Sequence, residues 1–359
     1  MSTPLQHTAL YQSHVAAGAK LVPFAGWEMP VQYSGIREEV KAVREGCGIF
    51  DVSHMGQLWI SGRDATTQLN RAISNDWSTL PVGRVAYALL LDEQGGVLDD
   101  VMGYRLDENE WLVVVNASRA QNDEAALRAR LSGLSIANGY DNQTMIAVQG
   151  PQAAEIFDAL DADTKSDEFS WRDCMPVEFE ECNAIVARGG YTGADGFEFM
   201  CDAETGVLLW QKLIEAGALP CGLGARDVLR LEAGLPLYGH ELREAWTPFE
   251  SSCGFAVKME KEYFVGQDAL RGKEKPQQNI KALKMLGNAI PREGYEVRQG
   301  EKKLGEVTSG TLSPTLNCGI ALAALPSSLS VGDEVEVLIR GKAHPAAIVK
   351  KPFVAFGKK

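Results

Sequence analysis

The sequence predicts an α+β fold followed by a separate all-β unit. Strand-like apolar runs alternate irregularly with helical segments before residue 272, whereas a doubly wound parallel sheet would alternate regularly. Three of these runs, within residues 85–117, have the texture of an antiparallel meander. After residue 272 only short strands with turn residues between them follow. This C-terminal part is therefore predicted to be a small sandwich or barrel.

Two helices are predicted near the N-terminus, over residues 4–17 and 35–45. Each is followed by a glycine, and glycine commonly ends helices because it accepts left-handed backbone angles. In the meander, the runs 85–91, 97–106 and 111–117 are separated by the turn segments DEQGG and DENE. Ser118 and Gln121 have the spacing of a capping box, which predicts a helix that continues to about Leu131.

Another strand–helix pair and an amphipathic helix precede the C-terminal strands. A strand is expected over residues 144–150, and Pro151 opens the next helix because proline is tolerated in the first helical turn. Residues 203–217 have the periodicity of an amphipathic helix and end in glycine. The polar segment after Gly272 is interpreted as a linker.

Charge is spread unevenly over the 359 residues. The formal net charge is −13, but residues 265–359 contain 15 Lys and Arg against 9 Asp and Glu, a net of +6. Residues 1–264 therefore carry −19. This acidic majority argues against a nucleic-acid-binding protein, which needs a basic face. The basic last quarter requires a separate explanation.

The sequence offers no sign of a membrane span, an export signal or a metal site. No apolar run reaches 18 residues, and the N-terminus lacks the apolar core of a signal peptide, so we expect a cytoplasmic protein. Seven cysteines at irregular spacings, without a CxxC pair, predict buried free thiols. The five histidines are equally scattered. His54 is interpreted as a structural turn residue, because no nucleophile motif accompanies it.

Asp99 and Asp100, in the second strand of the meander, are the first candidates for chemistry. Side chains alternate along a strand, so Asp100 shares a face with Leu98, Met102 and Tyr104, and Asp99 shares the other face with Val97 and Val101. Because both faces are largely apolar, at least one carboxylate is expected against a nonpolar surface, where a charge must be paired or used. The alternation does not decide which aspartate matters. Solvated carboxylates beside the turn are the alternative.

Two more polar side chains stand among apolar strand residues. Asn116 ends the third run of the meander and could orient Asp100 or a ligand amide, or could simply open the next helix. Glu198 lies between Phe197 and Phe199. A carboxylate there could accept hydrogen bonds from a flat ligand with adjacent N–H donors, such as a pterin or a guanine. A solvated glutamate on an edge strand is the alternative.

The glycine-rich segments do not predict a dinucleotide site. GGYTGADG (189–196) runs into a strand, and GLGARD (222–227) lacks the last glycine of GxGxxG. Arg226, at the start of a short helix, could bind an anion beside the helix N-terminus. It could equally pair with Asp227 or Glu232.

Nine motifs in chain order resemble the aminomethyltransferase family, the T-proteins of the glycine cleavage system. Together they cover nearly the whole chain, which makes the resemblance specific although each motif is modest. They are FAGWEMP (24–30), GIFDVSHMG (48–56), GGVLDD (95–100), VVNAS (114–118), IAVQGP (146–151), GYTGADGFE (190–198), GLGARDVLRLEAGLPLYGHEL (222–242), YFVGQDAL (263–270) and TSGTLSPTL (308–316).

The resemblance implies a three-domain cloverleaf around a central folate site. Residues 1–50 with 142–262 would form one α+β domain, residues 51–141 a second, and residues 278–359 an all-β barrel or jelly roll. The implied reaction transfers the methylene carbon of the aminomethyl-lipoyl H-protein to tetrahydrofolate, giving 5,10-methylenetetrahydrofolate, ammonia and the dihydrolipoyl H-protein. The P- and L-proteins would be functionally linked partners, and no metal, flavin or NAD is expected.

The resemblance also implies which residues form the site, by their positions in the matching motifs. The essential aspartate of the family matches Asp100. Its pterin and folate contacts match Met55, Tyr87, Tyr104, Asn116, Glu198, Arg226 and Tyr238. Ala194 departs from the glutamate of many members, but it lies outside these positions.

Three other hypotheses about function compete with the aminomethyltransferase hypothesis. Sarcosine and dimethylglycine dehydrogenases contain a similar folate-binding half, but they also need a flavin domain that 359 residues do not accommodate. A non-enzymatic folate-binding factor of iron–sulfur assembly and tRNA modification carries KGCYxGQE, and KEYFVGQDAL (261–270) lacks that cysteine. A scaffold protein would have little use for Asp100 and Glu198 on apolar strands.

The basic C-terminal region gains a possible role from the resemblance. H-proteins tend to be acidic, so a local positive surface would help two acidic proteins to associate. The lysines expected to contribute are Lys342, Lys350, Lys351, Lys358 and Lys359. A merely solvated basic edge is the alternative.

Overall fold

The computed structural model describes residues 4–139, 142–179 and 182–355. Within them, the helices are α1 (Tyr11–Ala16), α2 (Ile36–Glu45), α3 (Ala65–Ala72), α4 (Ala120–Arg130), α5 (Ala153–Asp158), α6 (Ala203–Glu215), α7 (Leu223–Glu232) and α8 (Gln267–Leu270). Short 3-10 turns lie at Ser166–Glu168 and Gly254–Ala256. None of the helices in the described residues has the length and apolar character needed to cross a membrane.

The strands of the first three quarters of the chain are β1 (Lys20–Phe24), β2 (Trp27–Gln32), β3 (Gly48–Asp51), β4 (Gly56–Ser61), β5 (Arg84–Leu91), β6 (Val97–Asp107), β7 (Glu110–Val115), β8 (Ser135–Asn138), β9 (Gln143–Gln149), β10 (Cys174–Phe179), β11 (Cys182–Arg188), β12 (Gly196–Asp202) and β13 (Leu219–Pro220). The C-terminal strands are β14 (Gln278–Met285), β15 (Glu296–Gln299), β16 (Lys302–Ser313), β17 (Cys318–Pro326), β18 (Glu334–Ile339) and β19 (Lys342–Val349).

The predicted meander forms three consecutive strands, from one edge inward, of a five-stranded sheet with the order β5-β6-β7-β4-β8. β5, β6 and β7 pair antiparallel, with Leu89 opposite Asp100 and Met102 opposite Val114. The apolar side chains of one face, together with α3 and α4, enclose a core around Trp77 and Trp111. The prediction of an antiparallel meander is confirmed.

A six-stranded sheet with the order β10-β11-β12-β9-β3-β13 forms the second layer. Phe197 and Phe199 of β12 point into a core with Phe157 of α5 and Trp210 of α6. Because side chains alternate along the strand, Glu198 points to the opposite face, toward the five-stranded sheet. α6 begins at the predicted place, where the Asp202 side chain accepts hydrogen bonds from two backbone amides of the first turn.

The C-terminal strands close into a six-stranded antiparallel barrel with the order β14-β17-β16-β15-β18-β19. Its interior contains aliphatic side chains such as Leu283, Val297 and Val337. The outer face of β14 and β17 packs against Leu231 of α7. The predicted α+β class and the predicted all-β C-terminal unit are confirmed, and the division at residues 50, 141 and 278 stays a prediction.

A buried carboxylate, paired with an arginine, joins the barrel to the rest of the molecule through hydrogen bonds. Glu232, at the end of α7, is 0% exposed and accepts hydrogen bonds from Arg44 of α2 at 2.8 and 3.0 Å. The same carboxylate accepts from the hydroxyls of Ser313 (2.5 Å) and Thr315 (3.0 Å) on the barrel side. A carboxylate with this many donors is well compensated for its burial.

Two predicted helix starts are wrong. The first helix begins at Tyr11 rather than at residue 4, because the preceding residues bond to other strands: Gln6 bridges to Trp27, and the Thr8 hydroxyl donates to Asp51 at 2.6 Å. Ser118 does not form a capping box. Arg119 occupies the N-cap of α4, without a side-chain cap.

Candidate functional site

A cavity of about 1070 Å³ lies where the two sheets, α7 and the barrel meet. Ligand sites in proteins commonly occupy about 300–1,000 Å³, so this cavity is as large as the largest common ligand sites. The structure brings all eight predicted site residues to its wall. They are Met55, Tyr87, Asp100, Tyr104, Asn116, Glu198, Arg226 and Tyr238.

Asn116 links the two aspartates of β6. Its side-chain nitrogen donates to Asp100 Oδ1 at 2.7 Å and to Asp99 Oδ1 at 2.8 Å, and its backbone N–H donates to Asp99 Oδ2 at 2.9 Å. Of the two possibilities that the sequence left open, Asn116 therefore orients Asp100. Asp100 faces the cavity, whereas Asp99 is 0% exposed on the other side of the strand.

The environment of Asp100 keeps its carboxyl group close to half-ionised near neutral pH. Burial is the main cause that raises the pKa of Asp100 to about 7, whereas hydrogen bonds from Asn116 and Tyr87 act in the opposite direction. A carboxyl group with a pKa close to neutral can exist in both protonation states under physiological conditions. This property is typical of groups that take part in proton transfer or charge stabilisation.

A second polar group lies further along the same face of β6. The Tyr104 hydroxyl donates to Glu198 Oε2 at 2.9 Å. Burial raises the pKa of Glu198, and the charge of Arg226 opposes that rise. The Arg226 guanidinium lies 4.9 Å from the centre of the Tyr191 ring, and its buried Nη1 has no hydrogen-bond partner among the described residues. The carboxylate and the guanidinium thus present unused hydrogen-bonding capacity to the cavity.

The neighbours of Arg226 in α7 are engaged elsewhere. Asp227 pairs with Arg230 at 2.9 Å, and Glu232 pairs with Arg44 at 2.8 Å. The structure therefore contains no ion pair between Arg226 and either of these acids. Its positive charge is directed into the cavity.

The remaining predicted residues form the apolar and aromatic wall. Met55 packs in the buried cluster that contains Tyr104. The Tyr87 ring stacks on Phe255 with a centroid distance of 5.7 Å, at the outer end of the cavity near Asp100. Tyr238 lies under the guanidinium of Arg119 at 5.2 Å. Aromatic faces of this kind suit planar or aliphatic parts of a substrate.

Comparison with known proteins relates both parts of the chain to one family. The model of the GCVT N-terminal domain matches residues 10–261, and that of the glycine cleavage T-protein C-terminal barrel domain matches residues 280–355. A relative named aminomethyltransferase from Symbiobacterium thermophilum is 46% identical over 98% of this chain and 98% of its own length. The chain belongs to the aminomethyltransferase family.

Other aminomethyltransferases agree with this assignment. One from Deinococcus deserti is 44% identical over 98% of this chain and 97% of its own length. The crystal structure of the glycine cleavage system aminomethyltransferase T from Bartonella henselae superposes with a TM-score of 0.91 at 33% identity, covering 98% of both chains. The predictions of the family and of a transferase are confirmed.

Several wall residues of this family member were not predicted from the sequence. Tyr191 lies within the quoted motif GYTGADGFE, so the motif could have indicated it. Phe255, which is 68% exposed, and the barrel residues Arg292 and Glu293 carry no local pattern and reach the cavity only through tertiary packing. His54 also lines the cavity, and burial lowers its pKa to about 4, so it is neutral near pH 7.

Proposed function

We propose that the protein transfers the methylene carbon of an aminomethyl-lipoyl H-protein to tetrahydrofolate. The products are 5,10-methylenetetrahydrofolate, ammonia and the dihydrolipoyl H-protein. The observation that carries the proposal is the pairing, within one cavity, of an ionisable carboxyl group at Asp100 with a pterin-sized polar end at Glu198 and Arg226. The family assignment supports the same reaction.

Glu198 and Arg226 are proposed to hold the pterin ring of tetrahydrofolate. The Glu198 carboxylate already accepts from Tyr104 on one oxygen, and its remaining lone pairs can accept from the adjacent N–H groups of a pterin. Arg226 also lines the cavity, so its guanidinium can donate to a ring acceptor. Tyr104 and Asp100 are four residues apart on the same face of β6, or about 13 Å at strand spacing. That separation leaves room for the pterin between the two polar ends.

Asp100 is proposed to act on the carbon that is transferred. As the C–N bond of the aminomethyl group breaks, ammonia leaves and positive charge develops on the carbon, which N5 of tetrahydrofolate attacks. N10 then closes the ring as the C–S bond breaks, and the two N–H protons of tetrahydrofolate go to the departing ammonia and to the dihydrolipoyl thiol. An ionised Asp100, fixed by Asn116, stabilises that charge in a site of low polarity. It can also accept a proton as the new bonds form. Holding two large substrates in register contributes further to the rate.

The basic C-terminal region is proposed to contact the acidic H-protein. Lys342, Lys350 and Lys351 are exposed, and the residues directly after Lys351 line the cavity, so a carrier docked there would be beside the opening. Lys358 and Lys359 lie outside the described residues. We also propose a cytoplasmic location, with functional links to the P- and L-proteins. The seven cysteines are all free, as in reducing compartments.

The test separates the two ends of the cavity. Asp100→Asn is expected to retain tetrahydrofolate binding but to lose about 10²–10³-fold in turnover, the usual cost of removing one preorganised charge-stabilising group. Glu198→Gln is expected mainly to weaken tetrahydrofolate binding. If Asp100→Asn weakened tetrahydrofolate binding but left turnover at saturation unchanged, the assignment of the two ends would be wrong.

A further inference from the structure

A second carboxyl pair, which the proposed mechanism does not use, lies behind Asp100. Asp99 of β6 is 0% exposed and Asp123 of α4 is 1% exposed. Their carboxyl groups lie close enough for each to shift the pKa of the other. Two buried carboxylates in contact repel strongly when both are ionised, and a hydrogen bond between them requires a proton.

The donors around this pair are unequally distributed. Asp99 accepts two N–H groups of Asn116, at 2.8 and 2.9 Å. In the part of the chain that the structure describes, no N–H or O–H group donates to either oxygen of Asp123. A buried carboxylate without a donor is costly. The hydroxyl of a protonated Asp99 is the group placed to supply one.

The cations nearest to Asp123 bond elsewhere. Arg119 forms an ion pair with Glu244 at 2.8 Å. Arg130 donates to two backbone carbonyl groups, at 3.1 and 2.6 Å. Both guanidinium groups nevertheless favour a negative charge on Asp123. The charge of the pair is therefore better placed on Asp123 than on Asp99.

Other titratable groups also face the pair. Asp100 lies on the opposite side of the same strand, and its charge raises the pKa of Asp123. From the loop after α7, the Tyr238 phenol faces the pair, and the Glu244 carboxylate acts on that phenol. Tyr238 lies under Arg119, and Glu244 is neutralised by the same residue. These contacts leave the Asp99–Asp123 pair as the principal charge behind Asp100.

We propose that Asp99 and Asp123 share one proton, donated by Asp99, and so hold the charge behind Asp100 at a single negative unit. Asn116 joins this pair to Asp100, because its side-chain nitrogen donates to both aspartates of β6. A second negative charge on Asp99 would oppose the ionisation of Asp100. Asp99 and Asp123 are thus positioning residues that act through Asp100. Their effect on turnover rests on the proposed function of Asp100, but the shared proton does not.

Infrared difference spectroscopy of the substrate-free protein tests the shared proton. A protonated carboxyl group has a carbonyl band that an ionised one lacks, and an Asp100→Asn background removes the contribution of Asp100. In this background, Asp99→Asn and Asp123→Asn should each lose one carboxylic-acid band near neutral pH, because the new amide supplies the donor. The control Glu124→Gln, at the next position of α4, should keep the band. Survival of the band in either aspartate variant would overturn the proposal.

The pH dependence of ammonia release tests the effect on Asp100. Asp123→Asn leaves an ionised Asp99 beside Asp100, so the pKa of the acidic limb should rise by about one unit. Asp99→Asn leaves the charge on Asp123, so the limb should move by less than about 0.3 unit. A fall of a full unit in Asp99→Asn would show that Asp99 is ionised in the wild type, and would overturn the proposal.

The two measurements distinguish failure of the pair from failure of the reaction. Asp99→Asn also loses one of its two acceptors for Asn116, so urea unfolding checks that the variant is folded. If it is not, Asp123→Asn decides both measurements. If the wild-type protein releases no ammonia, the proposed function fails, and the infrared bands still decide whether the proton is shared.

Discussion

Asp100→Asn is expected to stabilise the protein above neutral pH while it removes activity. Burial is the main cause that raises the pKa of Asp100 to about 7, about three units above the value of 3.9 for an exposed aspartate. The folded state therefore holds this proton more tightly than the unfolded chain does. The contribution of Asp100 to stability is fully present below about pH 4 and is lost as the pH rises through 7. At 1.36 kcal/mol per unit, the loss reaches up to about 4 kcal/mol.

Urea unfolding at two pH values measures this effect without any substrate. The free energy of unfolding of Asp100→Asn should exceed that of the wild type, and the difference should grow by about 2.7 kcal/mol between about pH 5 and pH 8. The control Glu110→Gln removes an exposed charge at the start of β7. Its free energy of unfolding should stay within about 0.5 kcal/mol of the wild type at both pH values.

Two outcomes of urea unfolding would rule out a raised pKa for Asp100. If the difference between Asp100→Asn and the wild type were independent of pH, Asp100 would titrate in the folded state as it does in the unfolded chain. If the variant were less stable at about pH 8 than at pH 5, relative to the wild type, the ionised carboxylate would stabilise the fold. Either result would remove the basis for treating Asp100 as an ionisable group that is poised near neutral pH.

Three further predictions concern affinity, stability and the carrier. Glu198→Gln should raise the Kd for tetrahydrofolate by about 10- to 150-fold, because hydrogen bonds to a charged group contribute about 1.5–3 kcal/mol. Titration calorimetry measures this Kd, and an unchanged value would contradict the assigned role. Glu232→Ala should lower the free energy of unfolding by about 3–5 kcal/mol, because it leaves Arg44 buried without its partner. A loss below about 1 kcal/mol in urea unfolding would show that the ion pair contributes little to stability. Lys350→Glu with Lys351→Glu should raise the KM for loaded H-protein at low salt but not at high salt; if the KM stays the same at low salt, the basic region is not the docking surface.

The local geometry of the site was largely predictable from the sequence. Alternation along an unbroken strand is sufficient to separate Asp99 from Asp100 and to group Asp100 with Met102 and Tyr104, because strand periodicity is independent of the rest of the fold. It could not tell which face meets the cavity. That depends on the six-stranded sheet and α7, which pack against the strand from distant parts of the sequence.

The parts that could not be predicted depend on long-range contacts. Asp123 is an ordinary polar residue of a helix in the sequence, and only tertiary packing brings it to Asp99. Residues 4–10 have a plausible helical pattern, but Thr8 and Gln6 bond to distant strands instead. In both cases the competing interactions come from residues at least 21 positions away, beyond the range of helix and strand periodicity.

Ammonia release from the aminomethyl-loaded H-protein in the presence of tetrahydrofolate is the most direct test of the proposed transfer. The wild-type protein should release ammonia and form 5,10-methylenetetrahydrofolate in equal amounts, and omission of tetrahydrofolate should reduce the rate strongly. Asp100→Asn should release ammonia about 10²–10³-fold more slowly at saturating substrates. If ammonia is released no faster with the wild-type protein than without it, the protein does not catalyse the proposed transfer.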